Sequence, residues 1–193
     1  MSREQDYFSA FVSISKAISS IGSLQDVLDL ILKHAVESLD LKAGVISLLN
    51  KKENTLEVIA HRNLSRELVS KGPIIADQSI PDAIKNKQPV IISDVNDKRL
   101  QYPEACKKEG IKAILSLPIV FKEEVIGLLR LYDSQPRDFT YREVEFMSAL
   151  ADQGGIAIEN ARFLETMKKD HKQQMDEMWD WFQSMSGSGS LDG

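Results

Sequence analysis

A chain of 193 residues, 42% hydrophobic and 27% charged, has room for one domain with a proper core plus an extension, and its composition is that of a soluble globular protein. A net charge of −5 without a long basic cluster excludes broad nucleic-acid or anionic-membrane binding through a positive face. No apolar run approaches the roughly 20 residues that span a bilayer, the N-terminus MSREQDYFSA lacks signal-peptide regions, and a lone cysteine excludes an internal disulfide, so the expected setting is cytoplasmic.

The first predicted element is an amphipathic helix over 4–21, striped by Tyr7, Phe11, Ile14, Ile18 and Ile21 and broken by Gly22. Ser23, with Asp26 three residues on, caps a second helix whose apolar set, from Leu24 through Leu28, Ile31 and Leu32 to Leu39, is wide enough to lie on a sheet. His34 falls off that face and reads as solvated. Ala43 to Leu49 and Thr55 to His61 read as a hairpin about the polar turn 51–54. Short helices are predicted near 65–71 and 79–86, a strand over 89–94, and a further helix from Pro103 to Glu109 with Gly110 as its C-terminal cap.

Two apolar runs flank the charged break Lys122-Glu123-Glu124 and predict a buried hairpin over 112–132. Pro136 ends its second strand. Thr140 and Glu143 then form a capping box, the Thr140 hydroxyl accepting from the Glu143 amide while the carboxylate reaches back. The helix that follows has no proline to the end of the chain. Met147, Leu150, Gly154, Ala157, Ala161, Leu164, Lys168, His171, Met175, Met178, Phe182 and Met185 step by threes and fours without a slip, the seam of a coiled coil. Lys168 and His171 read as polar interruptions that set its register. A helix about 70 Å long at 1.5 Å per residue outruns a domain of this size, so its distal half needs another surface. Trp179, Trp181 and Phe182 mark a candidate interface with a partner protein. The tail SGSGSLDG is flexible in composition.

Leu117-Pro118, Val125-Ile126-Gly127, Asp138-Phe139-Thr140 and Ala157-Ile158-Glu159-Asn160-Ala161, in that order and spacing, resemble the C-terminal half of a GAF domain, a ligand-sensing module. The resemblance extends back to about Leu24. It implies an α+β fold: an antiparallel sheet with the terminal helices on one face and the 65–110 segments closing a small-molecule pocket on the other. The divisions expected are a helix over 1–22, a GAF-like domain over 23–165, a helical extension over 166–185 and a tail over 186–193.

Alternation puts Ala113, Leu115, Leu117 and Ile119, with Val125, Gly127, Leu129 and Leu131, on one face of the last hairpin. Ile114, Ser116, Pro118, Ile126, Leu128, Arg130 and Tyr132 share the other, a mixed face suited to a pocket. By resemblance Ile46, Leu48, Ser116 and Tyr132 face the pocket, and Ile80 and Tyr102 close it from the covering helices. The rival is a collapsed mini-core with Arg130 and Tyr132 at its rim. Arg130 has three outlets: solvent, a carboxylate such as Asp94, or an anionic ligand.

Cys106 lies where relatives that bind linear tetrapyrroles attach them, but Lys107 stands where theirs commonly have His. A half-buried structural residue is the expectation. A redox thiol tuned by Lys107 and Lys108 is the second choice, and no covalent bilin is expected. One cysteine also departs from relatives that reduce free methionine sulfoxide. The three histidines are scattered, so no metal is expected, nor haem. The signature of cyclic-nucleotide GAF domains is not readable, and Gln78-Ser79-Ile80-Pro81-Asp82 replaces their Gly-rich turn. The expectation is a non-catalytic sensor that binds an unknown small molecule and signals as a homodimer. Its interface would draw on Phe11, Ile14, Ile18, Leu150, Ala157, Ala161, Leu164, Met175, Met178 and Phe182. A scaffold with a vestigial pocket is the alternative.

Overall fold

A computed structural model describes residues 3–20, 23–70, 72, 74–76 and 81–187. The chain divides into two compact units, Met1–Ala157 and Ile158–Gly193. The first holds α1 (Arg3–Ser19), α2 (Leu24–Ser38), β1 (Ala43–Asn50), β2 (Thr55–Arg62), α3 (Arg66–Val69), β3 (Ile74–Ile75), α4 (Pro81–Lys85), β4 (Val90–Ile92), α5 (Pro103–Lys108), β5 (Ala113–Phe121), β6 (Glu124–Asp133) and the start of α6 (Tyr141–Gly187). The strands form one sheet in the order β3-β2-β1-β6-β5-β4, and every pairing is antiparallel. This is the α+β architecture expected. The two-residue strand β3 had no signal in the sequence.

Local chemistry sets the elements. Lys122 and Glu123 both take positive φ, 43° and 67°, the two-residue turn whose twist matches a right-handed hairpin. It joins β5 to β6 and pairs Phe121 with Glu124. The Glu143 amide donates to Thr140 Oγ1 at 3.3 Å and the Thr140 amide donates to Glu143 Oε2 at 2.9 Å, the reciprocal cap expected for α6. The Asp26 amide donates to Ser23 Oγ at 3.2 Å, which caps α2. At the end of α5 the Ile111 amide donates to the Cys106 carbonyl and the Gly110 amide to that of Lys107, both at 2.9 Å, with Gly110 at φ 70°. That is a Schellman stop, and it needs the left-handed residue that glycine supplies.

One face of the sheet is covered by helices. α2 buries Val27, Leu28, Ile31, Leu32, Ala35 and Val36. A Cβ on Gly44 of β1 would meet Leu32 and Val36 of α2 at 3.0 and 3.4 Å. A Cβ on Gly155 of α6 would sit 2.9 Å from the Val120 carbonyl oxygen, so glycine is what lets this helix approach β5. α1 belongs to the same unit. Tyr7 stacks on Phe146 with ring centroids 4.0 Å apart, Ser15 Oγ donates to Gln153 Oε1 at 3.4 Å, and Ile14 is fully buried. Arg137 fastens this layer. It donates to the Leu39 carbonyl and Asp133 Oδ2 at 3.0 Å each and to Glu143 Oε1 at 2.6 Å, with its guanidinium 5.0 Å from the Phe139 ring centre. The end of α2, the end of β6 and the cap of α6 meet on that one side chain.

The other face carries a second core. Val45, Leu56, Val90, Ile92, Ile114, Leu128 and Tyr132 from the strands pack with Ala76, Ala83, Val95, Cys106 and Ile111 from the covering segment. Among the described residues that segment is tied by Ser93 Oγ donating to Asp138 Oδ1 at 2.6 Å, Lys87 to Glu123 at 3.0 Å and the Ala76 amide to the Asn54 carbonyl at 2.9 Å. Glu109 accepts from the Ser65 amide at 2.9 Å and from its hydroxyl at 2.6 Å, and Ser65 in turn caps α3 by accepting from the Leu68 amide.

The second unit is helix. From Leu164 to Phe182 its apolar side chains are exposed, among them Leu164 at 57%, Met178 at 53% and Phe182 at 62%. Trp181 and Phe182 meet edge to face at 6.5 Å. The continuous seam expected along α6 is thus two different surfaces. Met147, Leu150, Gly154 and Ala157 are buried, whereas Leu164, Met175, Met178 and Phe182 are exposed. Ile14 and Leu150, expected at a dimer interface, are at 0% exposure within a single chain and present nothing to a second one. Phe11, Ile18 and Ala161 are half-buried.

Candidate functional site

A cavity of about 70 Å³ lies between the second face of the sheet and the covering segment. β1 and β2 contribute Val45, Ser47, Leu56 and Val58; β5 and β6 contribute Ile114, Arg130 and Tyr132. Leu64, Leu68 and Val69 close it around α3, with Gly72 and Ile74 beyond, and Leu100, Gln101, Tyr102 and Cys106 line it from the start of α5. The walls are mainly apolar with a few placed polar groups, the composition of a ligand site.

The register of the sheet decides which residues reach the cavity. Directly opposed residues of antiparallel strands share a face. Arg130 is opposed by Val45 on β1 and by Ser116 on β5, and Tyr132 by Ala43 and Ile114. Ile46 is opposed by Leu129 and Leu48 by Gly127, which puts both on the helix face. The assignment of Ile46 and Leu48 to the pocket is therefore corrected by one residue: Val45 and Ser47 point there instead. A one-residue slip moves every side chain to the other face. The β1–β2 pairing shifts register between Ile46 and Ser47, where Ile59 of β2 is the extra residue, so the alternation breaks along β2 and holds along β1.

Tyr102, Cys106, Ile114, Arg130 and Tyr132 all line the cavity, as the sequence suggested. Ser116 is on the same face, buried opposite Val90 of β4, but away from the cavity. Ile80 lies outside the described residues. Sequence reasoning had the 65–110 segments close the pocket but named no lining residue of α3, whose four residues carry little periodic signal, and did not name Gln101. Gln101 Oε1 accepts from the Ile75 amide at 3.0 Å, and its amide nitrogen donates to the Tyr102 hydroxyl at 3.3 Å, so it ties β3 to the mouth of α5.

Arg130 is 7% exposed. Burial lowers its pKa, opposed by Tyr132, which shares a side-chain hydrogen bond with it, and by Cys106. A guanidinium nevertheless stays protonated at neutral pH. Burial raises the Tyr132 pKa, with Arg130 pulling the other way, so Tyr132 is a neutral phenol. Asp94, the carboxylate suggested for Arg130, is exposed and spends Oδ1 on the Asn96 amide and side chain at 2.8 Å each. Cys106 is buried, forms no disulfide, and its backbone belongs to the Schellman stop. His34 is half-buried rather than solvated, and burial lowers its pKa. Among the described residues no group of three His, Cys, Asp or Glu side chains is placed to hold a metal.

The family model described as GAF domain matches residues 22–159, most of the chain. The chain belongs to the GAF domain family. No curated protein gives a significant match. Among solved structures, the GAF domain of a phosphoenolpyruvate-protein phosphotransferase from Coxiella burnetii is 18% identical with a TM-score of 0.75, over 86% of this chain and 99% of that one. The corresponding domain from Acinetobacter is 19% identical with a TM-score of 0.69, over 83% and 97%. A phycoerythrobilin-bound GAF domain from a cyanobacterial phytochrome is 20% identical with a TM-score of 0.68, over 84% and 99%. At these identities the likeness is one of fold.

Proposed function

We propose that this chain is a non-catalytic sensory or regulatory GAF module of the cytoplasm. A small molecule on the pocket face alters the packing of the covering segment, and the change is read out through α6 in a homodimer. The observation that supports the reading is the cavity, where a buried Arg130 and Tyr132 stand in an apolar wall closed by short elements. No nucleophile–base pair or metal set accompanies them among the described residues, so binding is the chemistry the cavity suits. Among the described residues, no helix is long and apolar enough to cross a membrane.

Native mass spectrometry of protein purified from its source tests the ligand half of the reading. A retained small molecule, lost from Arg130→Met, is the expected result; a bare polypeptide mass under gentle conditions argues for the rival. That rival is a scaffold with a vestigial pocket. The volume favours it, since about 70 Å³ is well below the roughly 300 Å³ at the low end for sites that enclose a drug-sized ligand. The same volume argues against a tetrapyrrole at Cys106.

The dimer half rests on the exposed stripe Leu164, Met175, Met178 and Phe182, whose three-four spacing needs a second surface. A second copy in parallel register is the proposed occupant; a partner protein at Trp179, Trp181 and Phe182 is the alternative. Leu164→Glu puts two charges into that seam, costing several kcal/mol if they are buried unpaired. Light scattering should find a dimer for the wild type and a monomer for the variant. A wild-type monomer across micromolar concentrations ends this half of the reading.

A further inference from the structure

Along the exposed stripe of α6, four positions lie between Leu164 and Phe182: Lys168, His171, Met175 and Met178. The first two are polar. Met175 and Met178 therefore supply all the apolar surface of that stretch of seam, about five helical turns or 27 Å of helix. A thioether is apolar only while it is reduced. Oxidation to the sulfoxide turns a flexible apolar side chain into a polar one. With both oxidised, the stripe has four polar positions in succession, with Leu164 and Phe182 left at the two ends of the stretch.

Exposure and position together single out these two sulfurs. Met175 is 38% exposed and Met178 53%, whereas Met147, earlier in the same three-four series, is at 0%. Met167 is as open as Met178, at 53%, but stands outside the series, so its oxidation leaves the seam as apolar as before.

We propose that Met175 and Met178 are an oxidative modification site that controls the seam: a hydroperoxide converts them to sulfoxides, and the two copies separate. The thioether sulfur attacks one peroxide oxygen, and an S–O bond forms as the O–O bond breaks. The proton on the transferred oxygen passes to the departing alkoxide, or to hydroxide where the oxidant is hydrogen peroxide, which leaves as an alcohol or water. Sulfur loses two electrons and the peroxide gains them. This rests on the dimer half of the proposed function and adds its regulation.

Treatment of the full chain with hydrogen peroxide tests it. Peptide mass spectrometry should find sulfoxide at Met167, Met175 and Met178 well before Met147. Light scattering on the same samples should show the dimer giving way to monomer as Met175 and Met178 oxidise. A buried sulfoxide oxygen without a partner weakens association by roughly tenfold, so two per chain should raise the dimer Kd by at least about a hundredfold. Methionine sulfoxide reductases should restore the dimer. Met175→Leu/Met178→Leu keeps the stripe apolar at nearly the same volume and should stay dimeric in the same peroxide. That variant retains Met167 and Cys106, so dissociation caused at either would persist in it. Three outcomes would overturn the inference and leave the dimer standing: a dimer that survives with both methionines oxidised, equal dissociation of the double variant, or oxidation of Met175 and Met178 no faster than that of Met147. A wild type that is monomeric before any peroxide is added would overturn the inference and the dimer reading together.

Discussion

On the helix side of the sheet, Leu115, Leu117, Ile119, Leu129 and Leu131 are all at 0% exposure, matched against α2 and the start of α6. One residue along the same strands, the other side carries Ser116, Arg130 and Tyr132, covered by helices of four to six residues. Both faces are buried, but by different means. The first is closed by long elements that bring their own capping and packing. The second is closed by pieces too short to be stable alone, held by bonds to the rest of the chain such as Glu109 on Ser65, Gln101 on Ile75 and Ser93 on Asp138. Alternation lets one hairpin serve both purposes: the uniform face stabilises the fold, and the mixed face can hold polar groups and open at low cost.

The comparison predicts where stability is concentrated. Leu129→Ala removes a fully buried side chain from the helix face, where rigid helices cannot collapse into the space. The expected loss is about 3–5 kcal/mol in urea unfolding. Leu68→Ala on the covering side, at a half-buried residue of α3, should cost less than about 1.5 kcal/mol. Equal losses would show that the covering segment is as firmly built as the helix layer.

Arg137 tests whether the helix layer depends on its fastening as much as on its packing. Burial alone would raise the pKa of Glu143, but bonds from Thr140 and Arg137 outweigh it and hold it below the ordinary glutamate value. Arg137→Ala leaves Asp133 and Glu143, both nearly buried, without that partner. A loss of about 2–4 kcal/mol is expected, smaller than for removing either carboxylate's charge partner in a fully dry site. The sign with pH follows from the lowered pKa. The stability is present above the unfolded glutamate range and is lost as pH falls through the folded value, so the gap between wild type and Arg137→Ala should narrow on acidification.

How much of this was legible depended on distance along the chain. The Thr140–Glu143 box, the Ser23 cap, the Gly110 stop and the Lys122–Glu123 turn are set by neighbours within a few residues, and the structure has each of them. Arg130 and Tyr132 fall on the pocket face because their hairpin partner is only a two-residue turn away. β1 is different. Its face is fixed by pairing with β6 some eighty residues on, so its own regular alternation does not say which face is the pocket, and Ile46 and Leu48 were placed one residue out. The seam of α6 failed for a related reason. A three-four stripe states that a surface is to be buried, not what buries it, and Leu150 is buried in its own chain whereas Leu164 is exposed. Arg137 was overlooked because its partners, Leu39, Asp133 and Glu143, belong to three elements that only the fold brings together.

The smallest effect sharpens the comparison from the covering side. Asp97, in the loop between β4 and α5, accepts from Arg99 through side chain and backbone, which holds its pKa down at about 2 against an ordinary 3.8. A pKa lowered on folding contributes stability above the unfolded value, and that contribution is lost as pH falls from 3.8 toward 2. Arg99 is 47% exposed, so solvent screens the pair and its worth is under about 1 kcal/mol. The Arg99 guanidinium also donates to the Ile91 carbonyl at 3.3 Å, so the pair braces the loop against edge strand β4. Urea unfolding of wild type and Asp97→Asn should differ by that amount at pH 5, by less at pH 3, and by only a small remainder near pH 2, where half of the folded-state carboxyl is still charged. A constant gap from pH 5 to pH 3 would mean that the Asp97 charge adds nothing and that the loop is held by backbone bonds alone. A gap well above 1 kcal/mol would mean that the covering segment is more firmly tied than its short elements suggest, and the contrast between the two faces would weaken accordingly.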